Sequence, residues 1–151
     1  MRVLGALLLV TALLAGVVPQ FSDCQSDGRE LTLADGRNIP MKCHWTARAE
    51  IAMAIPVLAS GLMVLVSKRR ETLRNVGILG AVSGVGVVLL PRTLIGVCGN
   101  PDMICNSFML PFLTLVGSVI VVAGAAVAVL AMVQRVDEMV AEPATGRSGL
   151  A

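Results

Sequence analysis

Four long apolar runs, separated by short polar stretches, set the pattern of the chain. The first is Val3–Val18, "VLGALLLVTALLAGVV", held between Arg2 and Pro19. The second runs from Ala47 to Val66, the third from Leu73 to Leu90 just before Pro91, and the fourth from Phe108 to Val133. A helix that crosses the hydrocarbon core of a bilayer needs about 20 mainly apolar residues. The fourth run meets this by itself, and the other three reach it with their flanks. The expected fold is an all-α membrane protein, a four-transmembrane-helix bundle built from two helical hairpins. It fills residues 1–136, with helices at 3–21, 47–66, 73–90 and 108–133. The remainder, 137–151 ("DEMVAEPATGRSGLA"), is polar and small-residue-rich. It is too poor in apolar surface to order itself and reads as a flexible cytoplasmic tail.

The first run has a rival reading as a secretory signal peptide. No clean A-x-A cleavage site precedes Pro19, and "TALLAG" matches one only in part. A weak internal repeat also speaks for a retained helix. Each half of the chain has an apolar helix, a Pro, a Cys, a Met-x-Cys and a second apolar helix. These are Pro19, Cys24, Met41 and Cys43 in one half, and Pro91, Cys98, Met103 and Cys105 in the other. That pattern suits a parallel duplication of a helical hairpin.

Composition moves the solvent from water to lipid. The chain is 56% hydrophobic and 15% charged, where soluble domains average about 45–50% and 25%. A net charge of +2, 3% aromatic residues and no Tyr leave no surface for nucleic acid. Lys68, Arg69, Arg70 and Arg74 crowd the loop between the second and third runs. The positive-inside rule assigns that loop, and with it both termini, to the cytoplasm. The loops at 19–46 and 91–107 are then extracytoplasmic, on a multipass protein of the cell membrane.

All four cysteines, Cys24, Cys43, Cys98 and Cys105, fall in those two outer loops. In an oxidising compartment such thiols pair. Four Cys allow three connectivities, and the repeat favours Cys24–Cys43 with Cys98–Cys105. Thiol–disulfide exchange is an alternative use of the two pairs, although neither is the C-x-x-C that lowers a thiol pKa. Metal handling is a second alternative. Met41, Cys43, His44, Met103 and Cys105 are ligands that suit Cu(I) or Zn. No established ligand spacing is met, so the sequence assigns no metal, no other cofactor and no catalytic residue.

The stretch Met41–Glu50, "MKCHWTARAE", holds the only His and the only Trp of the chain. Trp45, Arg48 and Glu50 read as anchors at the membrane interface, and His44 joins Met41 and Met103 as a candidate functional residue. With "LLPRTLIGVCG" and "MIC" between the third and fourth runs, this stretch resembles a bacterial and archaeal family of small four-helix membrane proteins, domain of unknown function 4418. The resemblance covers Val3 to about Val133. It implies a multipass membrane protein and carries over no catalytic residue. By analogy it also implies a companion of a transporter permease.

No apolar run has an ionisable residue near its centre, which argues against proton-coupled transport. Small residues do line the helices. Gly77, Gly80 and Gly84 mark the third run, Gly124 and Ala128 the fourth. Faces of this kind let helix backbones approach in lipid. They serve either the interior of the bundle or a groove for a partner's helix. The expected function is therefore that of an accessory subunit packed against another membrane protein.

Overall fold

The computed structural model describes residues 1–24, 28 and 31–141; the side chains of 135–141 are not part of the description. Among the described residues, helices α1 (Arg2–Phe21), α2 (Lys42–Val66), α3 (Arg70–Leu89) and α4 (Leu110–Ala141) are each long and apolar enough to cross a membrane. A π-helical segment, Leu90–Leu94, extends α3, and a second, Cys105–Met109, leads into α4. Helix α4 continues to Ala141, so the first residues of the expected tail are helical; 142–151 lie outside the described residues.

The helices pair as two hairpins. Helix α1 packs along α2 and α3 along α4, while α2–α3 and α1–α4 contacts close the bundle. The loop ahead of α2 holds a two-stranded hairpin, β1 (Leu31–Thr32) with β2 (Asn38–Ile39), paired antiparallel with Leu31 opposite Ile39. Its turn uses Gly36 at φ +79°, a backbone conformation costly for other residues.

The core is an apolar seam running the length of the bundle, including Leu8, Ala12, Val57, Val87, Leu113, Ile120 and Val127. The outer faces are equally apolar and exposed. Val10, Leu13, Ile55, Leu62, Val82, Leu115, Val122 and Val129 all point outwards. A surface of this size with no polar cover belongs in lipid. Two buried hydroxyls bond within their own helix: Thr11 donates to the carbonyls of Leu7 and Leu8, and Ser60 to that of Pro56.

The glycines explain how closely the hairpins pair. A Cβ added at Gly124 would lie 2.5 Å from the backbone nitrogen of Ala81, and one at Gly77 would lie 2.7 Å from that of Ala128. One at Gly84 would meet Ile120 and Val121. The small-residue faces of α3 and α4 are thus pressed against each other, with Gly80 looser and turned towards Ser60. In lipid, where burial of apolar surface gives no net drive, this close approach is what holds helices together.

Both chain ends of the bundle share one face. The start of α1 touches the end of α2 through Gly5 and Leu65. The Arg70 guanidinium, at the start of α3, donates to the Gln134 carbonyl on α4 at 2.6 Å. The opposite face carries the two Cys-bearing loops.

Candidate functional site

Each thiol belongs to a different helix end. Cys24 lies just past α1, Cys43 sits in the first turn of α2, Cys98 follows the π segment that ends α3, and Cys105 opens the π segment that begins α4. Two antiparallel hairpins docked side by side bring these four ends to one place. The four sulfurs lie within 4.8 Å of one another. Cys98 Sγ stands 3.7 Å from Cys24 Sγ and 3.7 Å from Cys43 Sγ.

All four are free thiols. A disulfide needs sulfurs about 2.05 Å apart; no two of the four stand at that distance, and the cysteines of both loops meet in one cluster. Cys24, Cys43 and Cys105 are buried, and Met41, Val97, Cys98 and Met103 pack around them. The Met41 thioether is itself 3.9 Å from Cys98 Sγ. Burial, and then the neighbouring thiols of Cys105, Cys43 and Cys98, push the Cys24 thiol well above the ordinary thiol range.

Polar side chains next to the thiols fix the loops. The His44 Nδ1 and Asp23 Oδ2 atoms are 2.9 Å apart, with the His ring 20% and the Asp 7% exposed. Asp23 precedes Cys24 and His44 follows Cys43, so this one contact ties two of the four thiol-bearing segments. The Thr46 hydroxyl donates to the Gly96 carbonyl at 2.7 Å, which pins the loop carrying Cys98 to α2. Gly96 turns there at φ +84°. Gln20 reaches from the end of α1 to the Ala47 carbonyl at 2.6 Å. Two π-helical segments flank the cluster, and such departures from α geometry recur at functional sites.

The remaining residues singled out in the sequence divide. Trp45 is on the outside, 58% exposed, with its ring edge-on to His44. Arg48 is exposed as well. Glu50 does not share their outward face: it is fully buried between the helices. Asp23 and Thr46 escaped the sequence reading, although Asp23 adjoins a Cys just as His44 does.

A profile of the family described as domain of unknown function DUF4418 matches residues 2–131. The chain belongs to the DUF4418 family. All four helices and all four cysteines of this DUF4418 protein fall within the matched span. Comparison with curated proteins and with solved structures finds no match.

Proposed function

We propose that this DUF4418 protein is a membrane-embedded soft-metal site. Cys24, Cys43, Cys98 and Cys105 hold one thiophilic ion, zinc or copper(I), as thiolates. The sulfur spacing carries the reading. A tetrahedral ion with sulfur ligands at about 2.3 Å sets those sulfurs about 3.8 Å apart. The two Cys98 separations of 3.7 Å match that edge. Four thiolates close the coordination sphere, which suits holding an ion rather than activating water. Because each ligand comes from a different helix end, an ion there also clamps the two hairpins together. The thioethers of Met41 and Met103 make the surroundings softer still, a setting copper(I) favours.

In this reading the α2–α3 face lies in the cytoplasm, which the density of Lys and Arg in its loop supports. The thiol face is then extracytoplasmic. An ion bound to the thiolates would protect them from oxidation in that compartment.

One observation favours a second use of the same residues. Cys98 is equidistant from Cys24 and Cys43, the arrangement of a sulfur that can exchange partners. Thiol–disulfide exchange with a protein disulfide is the corresponding reading. A companion-subunit role draws no such support, because the Gly faces of α3 and α4 are spent on each other.

The experiment is metal analysis of protein purified in mild detergent after separate growth in zinc or copper. The metal reading expects close to one ion per chain, lost in Cys98→Ser, with the supplied metal identifying which ion binds. Metal-free protein with paired cysteines would support exchange instead.

A further inference from the structure

The inward stripe of α2 reads Cys43, Thr46, Ala47, Glu50, Ala54, Val57, Ser60, Gly61 and Val64. Eight of these nine are small, apolar, thiol or hydroxyl side chains. The exception is Glu50, which is 0% exposed. Both of its carboxyl oxygens lack a hydrogen-bond partner; among the described residues no other buried side-chain oxygen or nitrogen does. It lies seven residues from Cys43, about 10 Å further along the same helix face.

An isolated carboxylate in such a place is far more costly than a neutral polar group. It must therefore bind a cation. The charged groups around it do not provide one. Arg48 on the same helix is exposed. Arg92, on the segment extending α3, is exposed and donates to Thr114 on α4. On α1 the one charged residue is Arg2, at the opposite membrane face. The other buried carboxyl among the described residues, Asp23, contacts His44. A metal ion is a poor fit as well. It requires several ligands, and the one group of three or more potential ligands among the described residues is the four thiols, without Glu50.

We propose that Glu50 is a proton-binding site sealed inside the bundle beneath the thiol cluster. Its ligand is a single proton, and the side chain is a neutral carboxylic acid while the bundle is closed. Ionisation requires water to reach it, and the natural point of entry is the thiol face. Opening that face would release the Glu50 proton and closing it would take the proton back. The thiols need not bind metal for this to hold.

Infrared difference spectroscopy of the protein in lipid bilayers at neutral pH tests it. The wild-type minus Glu50→Gln spectrum is expected to show the carbonyl band of a protonated carboxyl, moved by transfer to heavy water. Carbon-13-labelled glutamate in the unsubstituted protein must shift the same band, so the assignment stands even if Glu50→Gln folds poorly. If only carboxylate bands respond to the label, Glu50 is ionised and the proposal fails. The protonated band is expected to survive addition of zinc alone. Its conversion to a carboxylate band would make Glu50 a metal ligand and overturn the proton assignment.

Discussion

Replacing Gly124 by Ala on α4 puts a number on the contact between the second pair of helices. The added Cβ would lie 2.5 Å from the Ala81 nitrogen and 2.8 Å from the Gly77 carbonyl oxygen, where ordinary contact begins at 3.4 Å. Both neighbours are backbone, so no side-chain rotation relieves the overlap. The helices must part by most of an ångström, along the seam that includes Gly77 and Gly84. Overpacking of this kind costs about 1–3 kcal/mol, and rigid neighbours put Gly124 at the upper end. The helix preference of Ala over Gly returns about 1 kcal/mol, leaving a net loss of about 1–2 kcal/mol.

Gly80→Ala supplies the control. The same methyl there meets nothing nearer than 3.7 Å, so only the helix preference remains, and the variant should be neutral or up to about 1 kcal/mol more stable. The assay is reversible unfolding in mixed micelles with increasing denaturing detergent. A gap of about 1–3 kcal/mol between the two variants, with Gly124→Ala the weaker, is the expected result. If the two behaved alike, α3 and α4 would not be in backbone contact, and these glycines would be free to receive a partner's helix.

Three further substitutions probe the thiol end and the buried acid. His44→Ala removes the contact with Asp23 and loosens two thiol-bearing segments, so metal affinity in chelator competition should drop about 10–100-fold, as when second-sphere partners are lost; unchanged affinity would separate the pair from the centre. Thr46→Val deprives the Gly96 carbonyl of its donor, at a cost of about 1–3 kcal/mol. Alkylation of Cys98 in the metal-free protein should speed up accordingly, and an unaltered rate would show that this hydrogen bond does not set the loop. Glu50→Met keeps the volume and removes an unpartnered buried acid, so stability should rise by about 1–3 kcal/mol; a fall would reveal a partner for the carboxyl.

The bundle was legible because its signals are long. Four apolar runs and a dense Lys68–Arg70 cluster define four helices and two hairpins without any contact information. The glycine spacings gave the close faces, but whether those faces meet each other depends on helix phase in three dimensions. The thiol cluster shows a different limit. The partition of the four Cys into two loops was plain, and the repeat paired them within each loop. Their convergence depends on the hairpins docking side by side, which no local pattern encodes. Helix α2 begins at Lys42, five residues before Ala47, because Cys43 and Thr46 face inward and the polar-looking stretch is structurally part of the bundle. Glu50 was within reach of a phase argument. It shares the stripe of Ala54, Val57 and Gly61, a spacing that turns it into the bundle.

The central claim is that the four thiols act as one metal centre. Its most direct measurement is native mass spectrometry of the intact protein, released from membranes without reductant or chelator. The account predicts one zinc or copper ion per chain, with all four cysteines recovered as thiols once the ion is chelated. A metal-free chain carrying two disulfides would contradict it.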